Sequence, residues 1–98
     1  MATPALTEAE IIEALSNLNN WERDGDMITK LFKFDQYLAG LAFASAIGVI
    51  AEGLDHHPEI IVGWRKVTVS YTTHDAGDKL SAWDFEAAQA IDAIKYPN

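Results

Sequence analysis

All three histidines of the chain lie in its second half, and two are adjacent, in Asp55-His56-His57-Pro58, with His74 following in Thr72-Thr73-His74-Asp75. Histidine suits general acid–base work because its unperturbed pKa of about 6.5 leaves both protonation states available near neutral pH. Three other readings compete with that one. The pair can be an accident of the surface. It can ligate a metal, but an adjacent His-His pair beside a proline lacks the i, i+4 spacing that presents two ligands on one helix face, and no cysteine completes a set. It can be buried and structural, against which stand the surface-type neighbours Asp55, Pro58, Glu59 and Asp75. His56 and His57 follow the expected end of a helix, where the macrodipole favours a cation, and Glu52, Asp55 and Asp75 add negative charge. Several acids and bases with no nucleophile, phosphate loop or metal set point to proton transfer: isomerisation, elimination or dehydration.

The whole chain bounds what can hold such a site. It has 98 residues, 7 Lys+Arg against 15 Asp+Glu for a formal charge of −8, and no cysteine. That length reads as a single domain over 1–98. The negative charge opposes direct nucleic-acid binding and docking on anionic lipid, and the lack of cysteine removes thiol nucleophiles and disulfides. The start, Met1-Ala2-Thr3-Pro4-Ala5-Leu6, has neither a basic region nor an apolar run for export, so a cytoplasmic location is expected. Gln36 to Ala51 is uncharged but shorter than the roughly 20 residues of a membrane span, and reads as a buried helix.

Local signals then order the elements. Thr7-Glu8-Ala9-Glu10 is a capping box opening a helix with Ile11, Ala14, Leu15 and Leu18 on one stripe, closed by Asn19-Asn20. Trp21 starts a short strand, Asp24-Gly25 signals a hairpin, and Met27 to Phe34 returns in a register that the pattern leaves open. A second helix over about 35–54 carries Leu38, Leu41, Phe43, Ile47 and Ile50 around most of its circumference, so a second subunit is expected on the side the sheet does not cover. Ile60 to Trp64 and Lys66 to Thr73 form a second hairpin turning near Trp64-Arg65, with Val67, Val69 and Tyr71 on its covered face. That pairing brings residues 56–58 and 74 to the same open end. Ser81-Ala82-Trp83-Asp84 starts a last helix with Phe85, Ala88, Ile91 and Ile94, closed by Lys95 and Pro97. The order α-β-β-α-β-β-α predicts an α+β fold, a four-stranded antiparallel sheet with three helices on one face. Asp84 reads either as a helix cap or as a residue orienting a histidine, and Trp64 either stacks on a planar ligand or fills the core.

The string Glu52-x-x-x-His56-His57-Pro58, followed by Trp64, His74 and Asp84, resembles the pterin-4a-carbinolamine dehydratase family. The likeness continues through Leu6-Thr7, Glu10-Ile11, Leu15, Leu18 and Trp21, through Lys30-Leu31-Phe32-Lys33-Phe34, and through Thr72 to Gly77. It implies the same fold and the dehydration of 4a-hydroxytetrahydropterin to quinonoid dihydropterin, with no metal or organic cofactor. It also implies His56 and His74 as acids and His57 as a substrate-binding residue with some base character. Asp55, Thr72, Thr73, Asp75 and Trp64 would join the histidines in binding the pterin, and Glu52 and Asp84 would support them. Some animal members also stabilise the dimer of a homeodomain transcription factor, so the resemblance allows a protein partner of that kind. The chain departs from the common pattern at Ile60, Val62, the Trp64-Arg65 pair and the loop Gly77-Asp78-Lys79-Leu80.

Overall fold

A computed structural model describes residues 3–96, which run as α1 (Glu8–Ser16), β1 (Glu22–Asp24), β2 (Met27–Lys33), α2 (Tyr37–Leu54), β3 (Glu59–Gly63), β4 (Lys66–Tyr71), one 3-10 turn (His74–Ala76) and α3 (Ala82–Asp92). The order is the expected one, and the four strands pair antiparallel as β1-β2-β4-β3. Each hairpin therefore contributes its second strand to the sheet centre. Ile28, Val67, Val69 and Tyr71 are buried under the helices, while Leu31 and Ile61 remain exposed on the opposite face.

The register of β2, ambiguous from its pattern, follows from how one charge is accommodated. Ile28, Lys30, Phe32 and Phe34 all face the helices. The Lys30 ammonium is held there by Asp92 at 2.9 Å and lies 4.8 Å from the centroid of the Phe32 ring. Its paired head and apolar stem allow it a half-buried place.

Both predicted capping boxes are present. Thr7 and Glu10 exchange backbone and side-chain bonds of 2.9 and 3.2 Å, and Ser81 and Asp84 do the same at α3. Other boundaries shift. Helix α1 ends at Ser16 rather than Asn19-Asn20, because the Asn17 side chain donates to the Glu13 carbonyl and competes with continuation of the helix. The first hairpin turns on Gly25-Asp26 rather than Asp24-Gly25, since Asp24 pairs with Met27 and Gly25 takes the left-handed backbone at φ 61°. Helix α3 stops at Asp92, ahead of Lys95, while Pro97 and the first two residues of the expected N-terminal start lie outside the described residues.

Helix α2 is not buried all round. Gly40, Phe43, Ile47 and Ala51 form its covered stripe, while Leu38 and Val49 on the other side are 71% and 73% exposed. A Cβ on Gly40 would already touch Val67 and Phe34 at 3.4 and 3.5 Å, so this glycine fixes how closely α2 lies on the sheet.

Candidate active site

The site is built where α2 stops. Asp55 adopts a left-handed backbone at φ 52°, a conformation Asp tolerates better than most side chains, and the His56 amide donates back to the Ala51 carbonyl at 3.1 Å. This turn directs the chain across the end of the sheet towards Pro58 and β3. From the other side, β4 ends at Tyr71 and a tight loop follows, clipped by a Thr73 amide bond to the Lys79 carbonyl at 3.1 Å, with His74 opening its 3-10 turn. The result is a cleft of about 250 Å³ lined by Asp55, His56, His57, Thr72, Thr73, His74 and Asp75. Larger depressions exist elsewhere, including one of about 540 Å³ along α2 that His57 also borders, but this cleft is the one that gathers the three imidazoles among the described residues.

Each imidazole has a carboxylate on one ring nitrogen. Nε2 of His56 lies 2.6 Å from Asp84 Oδ1, Nε2 of His57 lies 2.6 Å from Glu52 Oε1, and Nδ1 of His74 pairs with Asp78. A carboxylate that accepts from one ring nitrogen orients the ring and leaves the other nitrogen to exchange a proton. The sequence reading assigned this electrostatic role to Glu52, Asp55 and Asp75. In the structure Glu52 meets a ring directly, while Asp55 and Asp75 line the same cleft as the three histidines without bonding to a ring. Asp78, not singled out from sequence, stands four residues after His74, and the left-handed Gly77 between them brings its carboxylate back to the ring.

The three environments differ. His74 and its partner are exposed, as are His57 and Glu52, so those pairs act mainly in orientation. The His56 side chain is only 12% exposed, stacked on Tyr71 at 5.0 Å and edge-on to Trp83 at 6.3 Å. Its partner Asp84 is completely buried, with Oδ2 accepting from the Ser81 amide at 2.9 Å and the Thr73 hydroxyl at 2.8 Å. The two readings of Asp84, cap and histidine support, are thus both fulfilled by one carboxylate. Thr73 lines the cleft and also braces Asp84, while Thr72 donates to the Asp26 carbonyl at 2.7 Å and ties the first hairpin turn to the site.

Trp64 is not brought to this cleft. It occupies the β3–β4 turn between the paired residues Gly63 and Lys66, at the opposite end of the hairpin from His57 and His74. A two-residue turn cannot reach back along five-residue β3, so its expected place in the pterin site is corrected. It does not fill the core either, being 72% exposed.

Tyr71 joins the site from β4, read from sequence only as a covered-face residue because it continues the Val67-Val69 alternation. Its hydroxyl donates to the His56 carbonyl at 3.2 Å, and burial, with the Asp84 charge as a second cause, pushes its phenol up to about 12. An unfolded tyrosine ionises near 10, so the folded state retains a proton that the unfolded chain has lost. This contribution is fully present below about pH 10 and declines towards pH 12 by about 2 kcal/mol. Urea unfolding at about pH 9 and about pH 11 should show this alkaline loss in the wild type and a smaller one in Tyr71→Phe; equal losses would refute the assignment.

The fold and the paired histidines define a class, and comparison with known proteins gives it a family. The family model described as pterin 4 alpha carbinolamine dehydratase matches residues 4–94, and the chain belongs to that family. A Roseiflexus sp. (strain RS-1) protein, provisionally named a pterin-4-alpha-carbinolamine dehydratase, is 46% identical over 94 residues, which cover 96% of this chain and 99% of that one. The crystal structure of a transcriptional coactivator/pterin dehydratase from Brucella melitensis superposes with a TM-score of 0.85 at 34% identity, covering 92% of this chain and 97% of that one. A pterin dehydratase-like RuBisCO assembly factor of the alpha-carboxysome shares the fold at a TM-score of 0.67 and 24% identity, over 82% of this chain and 94% of its own.

Proposed function

We propose that this chain dehydrates 4a-hydroxytetrahydropterin to quinonoid dihydropterin and water, in support of tetrahydrobiopterin recycling. The observation that carries the proposal is the single cleft onto which His56, His57 and His74 open, each imidazole held by a carboxylate through one nitrogen. The reaction asks for that equipment. An acid protonates the C4a hydroxyl, the C–O bond breaks as water leaves, and a base removes the N5 proton as the C4a–N5 double bond forms; one proton is supplied and one recovered. His56 and His74 take the acid roles, and His57 binds the ring with some base character. No metal or redox partner enters the balance. The test follows the decay of freshly generated 4a-hydroxytetrahydropterin by absorbance, where a rate no faster than in buffer alone would refute the activity.

A second reading, a role in binding other proteins, draws on the apolar outer side of α2, where Leu38 and Val49 are exposed on a helix with no charge before Glu52. The first occupant we propose for it is a second copy of the chain, since two such faces meet without the repulsion that a −8 chain creates elsewhere. Light scattering should give a multiple of the subunit mass, and Leu38→Glu with Val49→Glu should return it to the monomer. A wild-type protein monomeric at micromolar concentration would leave that side open to a different partner, such as a transcription regulator.

A further inference from the structure

Five of the seven cations gather around two adjoining clefts, one beside the middle of β2 and one at the β3–β4 turn, the end of the sheet remote from the histidines. Lys30, Lys33 and Lys95 line one cleft, and Lys33, Arg65 and Lys66 line the next, a depression of about 430 Å³ completed by Phe34, Asp35 and Trp64. Two carboxylates face these five charges, Asp35 and Asp92, which gives a formal +3 there and leaves −11 on the rest of the −8 chain. Asp92 is occupied by Lys30, and the two cations elsewhere, Arg23 and Lys79, pair with Glu8 and Asp26. Among the described residues, Lys33, Arg65 and Lys66 have no carboxylate within ion-pair distance.

This arrangement opposes stability unless something occupies it. Lys33 and Lys66 stand directly opposite one another on β2 and β4, a placement in which like charges destabilise a sheet. Arg65 holds a left-handed backbone at φ 60°, unfavourable for a long side chain. Trp64 exposes most of its indole to water. The groups are nevertheless held in place. The Arg65 Nε donates to the Phe34 carbonyl at 3.3 Å, its guanidinium lies 4.8 Å from the Trp64 ring centroid, and the Lys66 stem lies across Gly63, where a Cβ would meet its Cε at 3.0 Å.

An accessible indole beside a guanidinium and two ammonium groups is the equipment for a flat ring that bears phosphate. The ring stacks on the indole, and the phosphate oxygens accept from the guanidinium and ammonium groups. The cleft volume falls within the range of small-ligand sites. A long polyanion would have to run onto the −11 remainder, so the charge pattern limits the ligand to a few phosphates. We propose that Trp64, Arg65, Lys66 and Lys33 form a second binding site, distinct from the histidine cleft, for a phosphate-bearing planar heterocycle of mononucleotide size.

The test is an amide NMR titration of the full chain with ADP, with adenosine, inorganic phosphate, a thymidine oligonucleotide and polyglutamate as comparisons. Saturable shifts are expected at residues 33–35 and 63–66, half-complete at about 0.1–1 mM ADP, with adenosine and phosphate each at least about tenfold weaker. Trp64→Ala, and separately Lys66→Ala, should weaken ADP about tenfold, read at the Phe34 and Gly63 amides; both side chains are exposed, so the fold is retained. The proposal is overturned by an absence of saturation up to about 5 mM, by shifts centred on residues 55–57 and 72–75, or by variants that bind ADP as the wild type does. Tighter binding of the oligonucleotide or of polyglutamate than of ADP would overturn it as well, in favour of a nucleic acid or an acidic protein.

Discussion

Replacing His74 with alanine is expected to lower kcat/KM for 4a-hydroxytetrahydropterin by roughly 10²–10³-fold while leaving the stability of the protein within about 0.5 kcal/mol of wild type. The separation of the two effects makes this variant informative. The His74 ring is 89% exposed, and its contact with Asp78 is between two solvated groups, so its removal leaves no cavity and no buried polar atom behind. His56 offers no such separation. Its ring packs between Tyr71 and Trp83 and satisfies Asp84, and His56→Ala should cost about 2–3 kcal/mol of stability in addition to its effect on rate. His56→Gln is the better probe, because an amide can still donate to Asp84 while it cannot relay a proton. The double variant His56→Ala/His74→Ala should approach the rate in buffer, with a loss smaller than the product of the single effects, as expected of groups acting on one transition state. A His74→Ala protein with wild-type kcat/KM would remove His74 from the chemistry and leave the cleft with two imidazoles.

The convergence of these histidines was legible because it depends on only two facts of sequence. One is a hairpin whose turn falls midway between residues 57 and 74, and the other is a helix that must end before Pro58. The capping boxes at Thr7 and Ser81 were legible for the same reason, since each is a local bond pattern over four residues. Partnerships across elements were harder to read. The Asp84–His56 bond joins residues 28 apart and follows from the packing of α3 against the end of β4, which no periodicity specifies. Asp78 reaches His74 across a loop in which Gly77 and Asp78 both take left-handed backbones, at φ 76° and 60°, conformations that a Gly-Asp dipeptide permits without requiring them. Trp64 was misplaced through its sequence neighbourhood. Seven residues from His57 along a strand is a long way in space, and strand geometry alone, at about 3.3 Å per residue, puts the turn some 20 Å from the open end. The outer side of α2 shows the opposite situation: its apolar character was plain in the sequence, but whether a segment of the same chain covers it is settled only by the fold.

Asp84→Asn is the substitution expected to separate the two duties of one buried carboxylate. Its Oδ2 accepts from the Ser81 amide and the Thr73 hydroxyl, which holds the start of α3 against the end of β4, and its Oδ1 meets His56 Nε2 at 2.6 Å. Deleting all three acceptor contacts, as in Asp84→Ala, strands buried donors and should cost about 3–5 kcal/mol, a large share of the roughly 5–15 kcal/mol that such a domain has in total. An asparagine carbonyl can take over the two bonds at Oδ2, so Asp84→Asn should stay folded, with a loss of about 1–2 kcal/mol. Its amide NH₂ then points at His56 Nε2. A donor facing that nitrogen requires it to accept, which moves the imidazole proton to Nδ1 and removes the carboxylate that balances a positive ring. The expected result is a fall in kcat of about 10²-fold with little change in KM, since His56 would still occupy its place but in the wrong protonation pattern. Nitrogen-15 spectra of the His56 ring provide the readout that a merely structural role would not move, and they should show the proton exchanged between Nε2 and Nδ1. A variant that retains the wild-type kcat and the wild-type ring spectrum would reduce Asp84 to a helix cap. The histidine would then owe its orientation to the Tyr71 and Trp83 rings alone.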